Sequence, residues 1–520
     1  MNTQPRSKKP TWTRREFLQL TAAGSMTLGL GACAAKGPEI MMNPPLHYQT
    51  LTAVADRIAS GDLTASAATE ALLTRMAALE PRLHTYYTVL GERARERAAA
   101  ADAAQAAGEP LGPLHGVPIA VKDLCHLTGH PTTAGHSFRR NNISTTDATV
   151  VARLEAAGAI ILGKLATTEG AMVGYHRDFA VPRNPWGDLD RWPGVSSGGS
   201  GAAPAAGLCF ASLGTDTGGS IRYPSAANGL VGLKPTWGRV SRHGVLDLAP
   251  TLDHIGPMTR SVRDAARVLG VIAGHDHADP TSLSATVPNY EAAIDKGVTG
   301  LRIGWDEAYA TKDVEAYVAD AVRGAVASLA EAGATIVEVD VPEIPQAEGD
   351  AWTTLASAEA AAVHEATYPE RSAEYGTYFR EFLAGGHALT PVQLAKAVIA
   401  RRVASGRMAP VFDNIHVLVS PTLASESFRY NPDDAYGGFD SDNNTLAGVP
   451  LTFFQKSGRF VSIWDYNGYP TLSVPCGFSP DGIPLSLQFV GPPLAEADLC
   501  RAGFAYEQAH EWHLAHPDLA

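Results

Sequence analysis

Residues 194–222 read GVSSGGSGAAPAAGLCFASLGTDTGGSIR, and this stretch carries the strongest signal in the chain. Two glycine-flanked serine clusters, at 196–200 and at Ser220, bracket a segment with little side-chain bulk. Glycine makes tight turns possible and lets backbone N–H groups approach a ligand closely. Because Ser220 directly follows Thr217-Gly218-Gly219, its hydroxyl lies beside a row of N–H groups that suits an oxyanion hole. The apolar run 208–213 between the clusters argues against a flexible linker.

A serine nucleophile needs a base. None of the 17 His residues lies near either serine cluster in a recognisable motif. Upstream, residues 116–123 read GVPIAVKD, which places Lys122 at the end of an apolar strand. Burial disfavours the ammonium form, lowers the pKa and makes a neutral lysine a usable base. Serine–lysine catalysis is an established variant of the catalytic triad, so these residues predict a serine–lysine hydrolase site.

The whole pattern resembles the amidase signature family. Three further regions carry the resemblance: GLKPTWGRV at 232–240, DHIGPM at 253–258, and GYP with VPCG at 468–477. The likeness spans roughly residues 46–515, and the separations of 74 residues from Lys122 to Ser196 and 24 from Ser196 to Ser220 are typical of the family. Val195 departs from the pattern, because the family usually has Gly or Ser there.

The resemblance implies a role for each matching residue. Ser220 would be the nucleophile, and Ser196, held after a cis peptide bond, would bridge it to neutral Lys122. The backbone N–H groups of Thr217, Gly218, Gly219 and Ser220 would hold the oxyanion. Supporting positions would be Asp216, Arg222 and Ser197, and Met172 would line the acyl pocket or belong to the core.

Helix–glycine–strand units recur along the chain. Helical spacing predicts helices at 64–78, 147–157 and 313–332, and apolar runs predict strands at 160–162, 335–339, 415–419, 471–474 and 485–490. Such units favour an α/β fold. We therefore predict a single large amidase-signature domain over residues 46–520, with a mixed, twisted β-sheet core covered by helices on both faces.

The segment at about 351–465 is least like the family and predicts the substrate-selecting region. Residues 351–402 are helix-rich, whereas 425–458 resemble a polar surface excursion. Aromatic side chains here could form an apolar pocket or pack the helical layer: Trp352, Tyr368, Tyr375, Phe379, Phe382, Tyr436, Phe453, Phe454, Trp464 and Tyr466. An acidic cluster would disfavour anionic substrates if it lay at the entrance: Asp433, Asp434, Asp440 and Asp442.

The first 33 residues resemble an export signal. Residues 13–18 contain the pair Arg14-Arg15 and resemble the twin-arginine motif, and the following apolar stretch is too short to span a bilayer. The stretch ends at Cys33 in a sequence resembling a lipoprotein cleavage site. We expect a signal peptide at 1–33, a linker at 34–45, and an exported, periplasmic protein that contacts membranes only through a possible lipid anchor. A disordered N-terminus with a chance arginine pair is the alternative.

The charge and the cysteine positions further limit the type of protein that this chain can be. The formal net charge of −13 argues against a non-specific nucleic-acid binder. The remaining cysteines lack zinc-ligand spacing and are expected to be buried free thiols: Cys125, Cys209, Cys476 and Cys500. No metal or other cofactor is expected, and the oligomeric state is left open.

Three functions compete at this stage. The first is a stand-alone amidase acting on small neutral amides or carbamates, with esterase side activity. The second is a glutamine amidotransferase-type subunit, against which an export signal counts. The third is a binding protein on an amidase scaffold, which would predict the loss of a catalytic serine or lysine, and none is lost.

Overall fold

The computed structural model describes residues 43–519. The predicted signal segment, with Arg14, Arg15 and Cys33, lies outside the described residues, as does the linker up to residue 42.

One mixed sheet of eleven strands forms the centre of the molecule. In chain order its strands are β1 (Tyr86–Val89), β2 (Pro118–Lys122), β3 (Ile160–Leu165), β4 (Ala211–Asp216), β5 (Val231–Lys234), β6 (His254–Thr259), β7 (Arg302–Trp305), β8 (Thr335–Glu338), β9 (Val417–Pro421), β13 (Thr471–Phe478) and β14 (Pro484–Val490). Three short strands form a separate small sheet: β10 (Phe439–Asp440), β11 (Thr445–Leu446) and β12 (Val449–Pro450).

The order across the large sheet is β1-β3-β2-β4-β6-β5-β13-β14-β9-β7-β8. Strand β2 runs parallel to β3 and β4, and β7 runs parallel to β8 and β9. The remaining pairings are antiparallel. Every residue of β2, β4, β6 and β14 is buried. Because successive side chains point to opposite faces, both faces must be covered, and the predicted α/β architecture is confirmed.

Helices form these covering layers. They are α1 (Leu51–Ser60), α2 (Ala65–Leu83), α3 (Gly91–Ala106), α4 (Thr149–Ala156), α5 (Gly198–Ala205), α6 (Arg222–Ala227), α7 (Val262–Ile272), α8 (Glu307–Thr311), α9 (Ala316–Glu331), α10 (Gln346–Val363), α11 (Thr377–His387), α12 (Pro391–Met408), α13 (Leu451–Tyr466) and α14 (Glu496–His510).

The predicted helix–glycine–strand units are present, and local chemistry explains their boundaries. The Thr64 hydroxyl accepts a hydrogen bond from the N–H of Ala67 and caps the start of α2. Gly158, at φ 91°, turns the chain between α4 and β3, and Gly333, at φ 103°, turns it between α9 and β8. These left-handed conformations favour glycine because it has no Cβ.

One sequence prediction is wrong. The expected surface excursion at 425–458 ends earlier, because residues from Leu451 onward form helix α13. Its buried residues include Phe453, Phe460, Val461 and Trp464, which recur at helical spacing. Gly458 resembles a helix breaker in the sequence, yet it lies inside the helix, where tertiary packing overrides its poor helix propensity.

The four cysteines among the described residues are free and buried, as expected. Burial raises the pKa of both the Cys125 and the Cys209 thiols to about 12. Between residues 43 and 519, none of the helices combines the length and apolar character needed to cross a membrane.

Candidate active site

The candidate site lies where the parallel strands β2 and β4 end. Lys122 is the last residue of β2, and Asp216 is the last residue of β4. Adjacent parallel strands present their carboxyl ends at the same edge of a sheet, which is where α/β proteins commonly build their sites. The loop that follows Asp216 carries Ser220 and leads into α6.

Lys122 is fully buried and lies at the centre of a cluster of hydroxyl groups. Its Nζ is 2.8 Å from the hydroxyl oxygens of Ser196, Ser197 and Thr215. Thr215 could not be identified from the sequence, because it lies within β4 and has no distinguishing local motif. Three close hydroxyls give the amine a polar environment without an adjacent carboxylate.

Burial lowers the pKa of Lys122 to about 7, and the neighbouring Cys125, Asp253 and Asp216 oppose this shift only in part. A neutral amine has two N–H donors and one lone pair, so one of the three hydroxyls must donate to it. The Ser197 hydroxyl already donates to the carbonyl oxygen of Thr215 at 3.2 Å. Ser196 and Thr215 therefore remain as possible donors to the lysine.

Ser196 is buried and held by its backbone. The Val195–Ser196 peptide bond is cis, as the resemblance implies. The carbonyl oxygen of Ser196 accepts hydrogen bonds from the N–H of Thr168 at 3.1 Å and from the hydroxyl of Thr167 at 3.2 Å. These contacts fix Ser196 against the loop that follows β3 and leave its side chain directed at Lys122.

Ser220 differs from the other two residues. It lies in the turn between β4 and α6 and is partly exposed, whereas Ser196 and Lys122 are fully buried. Its hydroxyl makes no hydrogen bond to any residue between 43 and 519. The structure thus joins Lys122 directly to Ser196 and leaves the Ser220 hydroxyl free at the accessible side of the loop.

The predicted oxyanion loop contains three available N–H donors. The N–H of Gly219 donates to the carboxylate of Asp216 at 2.6 Å, so the expected oxyanion contact from Gly219 does not fit this geometry. The N–H groups of Thr217, Gly218 and Ser220 have no acceptor among the described residues. Asp216 also accepts from the N–H of Ile221 at 3.0 Å, which ties both ends of the turn to one carboxylate.

A buried ion cluster supports this loop. Arg222 donates to Asp216 through Nε at 3.0 Å and Nη2 at 2.9 Å, and its Nη2 also donates to Asp465 at 2.6 Å. Burial would raise the pKa of Asp216, but Arg222 outweighs it and holds that pKa well below its usual range. Burial and the neighbouring Asp216 raise the pKa of Asp465 far above its usual range. These contacts tie the loop to helix α13, and the supporting roles of Asp216 and Arg222 stay predictions.

Asp253 holds the loop from the opposite side. Its carboxylate accepts from the Thr217 hydroxyl at 2.6 Å and from the N–H groups of Leu248 and Ala249 at 2.9 and 3.0 Å. Burial and the nearby Asp247 raise the pKa of Asp253 to about 7. Asp253 lies in the DHIGPM motif, to which the sequence analysis assigned no role.

Met172 is buried in the loop that holds Ser196, and its carbonyl oxygen accepts from the Thr168 hydroxyl at 2.8 Å. The adjacent Ala171 lines a cavity of about 10 Å³ together with Thr215 and Asp253. A cavity of that volume holds roughly one water molecule. The Met172 side chain itself belongs to the buried hydrophobic core.

A cleft of about 1000 Å³ lies elsewhere, between α2 and β1, and none of Lys122, Ser196 and Ser220 lines it. Within residues 43–519, no group of three or more His, Cys, Asp or Glu residues could hold a metal ion.

The chain is similar in sequence to known amidases and amidotransferase subunits. The family model described as Amidase matches residues 67–500. "Putative amidase AmiD" of Mycobacterium tuberculosis is 41% identical over 479 residues, covering 90% of this chain and 96% of that protein. A glutamyl-tRNA(Gln) amidotransferase subunit of Moorella thermoacetica is 39% identical over 499 residues, covering 91% of this chain and 99% of that protein.

Solved structures give the same result. A bacterial aryl acylamidase of the amidase signature family matches with a TM-score of 0.80 at 27% identity, covering 90% of this chain and 98% of that one. The peptide amidase of Stenotrophomonas maltophilia matches with a TM-score of 0.77 at 31% identity, covering 91% and 99%. From its fold, its sequence and the arrangement of its serine and lysine residues, the chain belongs to the amidase signature family.

Proposed function

We propose that the protein hydrolyses the C–N acyl bond of small, neutral, apolar or aromatic amides through a Ser220 acyl-enzyme. The observation that carries the proposal is the buried Lys122, whose pKa is lowered to about 7 by burial and whose Nζ lies 2.8 Å from the Ser196 hydroxyl. Near neutral pH such a lysine can accept a proton, which an ordinary exposed lysine cannot do.

In the proposed mechanism, Ser220 Oγ attacks the acyl carbon while its proton passes to Ser196 Oγ. The proton of Ser196 moves at the same time to Lys122 Nζ. The N–H groups of Thr217, Gly218 and Ser220 are positioned to hold the oxyanion that forms. Collapse of the tetrahedral intermediate breaks the C–N bond, and the proton on Lys122 returns through Ser196 to the leaving nitrogen. Water then attacks the acyl-enzyme through the same relay and releases the carboxylic acid.

The substrate class is proposed from the walls of the site. Trp352 of α10 contacts the oxyanion loop, and the phenol ring of Tyr223 lies 6.0 and 6.3 Å from the rings of Phe453 and Phe454 on α13. Val461 also approaches Gly219 from α13. Apolar and aromatic walls favour neutral aryl or alkyl acyl groups over a charged one.

The similarity to amidotransferase subunits supports one competing function, the release of ammonia from glutamine. Rates on an aryl amide and on glutamine separate the two. We expect the aryl amide to be hydrolysed at least tenfold faster in kcat/KM. Faster turnover of glutamine would reject the proposed substrate class and favour the amidotransferase-type reaction.

The catalytic assignment is tested by single alanine substitutions. Ser220→Ala and Lys122→Ala should each lower kcat by about 10⁴-fold or more, because a nucleophile and its base act as one unit. Ser220→Ala should also abolish covalent labelling by a fluorophosphonate. A matched control is Ser225→Ala, because Ser225 is a buried serine five residues further on whose hydroxyl has no partner among the described residues. Ser220→Ala retaining more than a few per cent of the wild-type rate would reject the mechanism.

Export and lipidation are proposed from the sequence of the first 33 residues. Replacing Arg14 and Arg15 by lysine should retain the protein in the cytoplasm, and Cys33→Ala should release it from membranes. Fractionation of cells measures both outcomes. An unaltered protein found wholly in the cytosol would contradict the export proposal.

A further inference from the structure

Trp352 connects the covering helix α10 to the oxyanion loop. Its indole Nε1 donates a hydrogen bond to the carbonyl oxygen of Thr217 at 2.9 Å. Its ring lies directly against Gly218, where an added Cβ would come within 2.7 Å of Cζ2 and 3.0 Å of Cε2. Only a residue without a side chain fits between the loop and this indole.

The hydrogen bond has a consequence for the next N–H group. The peptide bond between Thr217 and Gly218 is trans, and in a planar trans peptide the C=O and the following N–H point in opposite directions. A partner that fixes the carbonyl of Thr217 therefore also fixes the N–H of Gly218. That N–H has no acceptor among the described residues, so it is available to a ligand.

Fixing this peptide plane matters because the loop is rich in glycine. Two successive glycines, Gly218 and Gly219, have more backbone freedom than other residues. Buried residues of the core hold the groups on either side of this peptide. Asp253 accepts from the Thr217 hydroxyl, and Asp216 accepts from the Gly219 N–H. The carbonyl of Thr217 is held by the covering layer instead.

Helix α10 is itself anchored to its neighbours. The carbonyl oxygen of Glu348 accepts a hydrogen bond from the Tyr466 hydroxyl of α13 at 2.9 Å, and its carboxylate pairs with Arg407 of α12 at 2.7 Å. Both contacts lie one turn before Trp352 on the same helix. Helix α10, which carries the indole, is therefore fixed to α12 and α13 close to Trp352.

We propose that Trp352 is a positioning residue for the oxyanion hole, acting through the Thr217 carbonyl to align the N–H of Gly218. The inference rests on the proposed acyl-enzyme mechanism and adds a residue from the substrate-selecting region to it. Loss of the indole N–H should weaken binding of the transition state and leave binding of the substrate nearly unchanged.

The main experiment is Trp352→Phe, which retains an aromatic ring and removes the N–H donor. We expect kcat on an aryl amide to fall about 10- to 100-fold. This loss in kcat is no larger than the loss that follows outright deletion of an oxyanion-hole donor. KM should change less than threefold. A trifluoromethyl ketone that forms the tetrahedral adduct should lose affinity by the same factor as kcat. The corresponding trifluoroalkane, with CH₂ in place of the ketone carbonyl, should bind the variant as tightly as it binds the wild type.

A matched control is Trp305→Phe. Trp305 is the last residue of strand β7, six strands from β4 in the sheet order, and its indole donates to the carboxylate of Glu307 at the start of α8 at 3.1 Å. The control should keep kcat and ketone affinity within twofold of the wild type. If Trp352→Phe does not fold, as judged by circular dichroism, the same measurements apply to a protein with benzothienylalanine at position 352, which replaces the N–H by sulfur in a nearly unchanged ring system.

The outcomes are distinct. A rise in KM alone, with kcat and ketone affinity unchanged, would overturn the positioning role and leave Trp352 as a wall of the pocket. Unchanged kinetics would also overturn it. An active Ser220→Ala variant would instead reject the proposed mechanism itself, independently of any result with Trp352.

Discussion

Replacing Lys122 by Met should abolish activity and alter the pH dependence of stability. Burial lowers the pKa of Lys122 from 10.5 to about 7, so folding at neutral pH removes a proton that the unfolded chain retains. At 1.36 kcal/mol per pKa unit, this costs the folded state about 4 kcal/mol at pH 7. Methionine has a similar length and no charge, and therefore avoids that cost.

The substitution also removes three hydrogen bonds, to Ser196, Ser197 and Thr215. At about 1 kcal/mol each, their loss offsets most of the gain, and we expect Lys122→Met to lie within about 2 kcal/mol of the wild type at pH 7. The pH dependence is the sharper prediction. Between pH 7 and 10.5 the unfolded wild type binds more protons than the folded one, so wild-type stability rises with pH relative to the variant.

From pH 6.5 to 9.5 the difference in unfolding free energy between the two proteins should shift by about 3 kcal/mol in favour of the wild type. Urea unfolding followed by circular dichroism at several pH values measures this difference. Other titrating groups are common to both proteins and cancel.

A matched control is Lys164→Met. Lys164 is equally buried, but it pairs with the buried Asp123 at 2.8 Å. Its removal leaves an unpaired buried carboxylate and should cost about 3–5 kcal/mol. If Lys122→Met were destabilised as strongly as Lys164→Met, with no pH-dependent difference from the wild type, Lys122 would be charged in the folded protein. It could not then act as the base.

Three further predictions follow from the titrating groups. The plot of kcat/KM against pH should rise with a midpoint near 7, because burial lowers the pKa of Lys122 to about 7 and only the neutral amine accepts a proton. A midpoint above pH 9 would contradict this assignment of the base. Burial raises the pKa of Glu169 from 4.5 to about 7, so the stability it contributes is present below pH 4.5 and lost as the pH rises through 7. Glu169→Gln should therefore be more stable than the wild type at pH 8, by up to about 3 kcal/mol in urea unfolding. Asp465→Asn should retain kcat within threefold and a melting temperature at least equal to the wild type, because the raised pKa of Asp465 keeps its side chain neutral and the neutral amide can still accept from Arg222. Asp216→Asn, which weakens the acceptor of the Gly219 N–H, should lose activity in the same assays.

The parts of the site that could be predicted from the sequence are those carried by short local motifs. Ser196, Ser220 and Lys122 each lie in a run of glycine or apolar residues whose chemistry is visible without the fold. The predicted helices and strands were found for the same reason, since their periodicity and glycine ends are local signals.

The residues that the sequence analysis could not assign act over long separations. Trp352 bonds a residue 135 positions away, and Asp465 bonds one 243 positions away. Each is a single residue on a helix with no motif around it. Thr215 was missed because a threonine inside a strand resembles any other strand residue until the register places it beside Lys122.

The distribution of these contacts implies that rate and selectivity are coupled through the loop at 217–220. The core supplies the base and fixes the loop through Asp216 and Asp253, whereas helix α10 supplies Trp352. A change in α10 that improves the fit of a larger substrate would also displace the indole from the Thr217 carbonyl. Substrate range should therefore broaden at a cost in kcat when α10 is altered near Trp352, and without that cost when only Phe453 and Phe454 of α13 are altered.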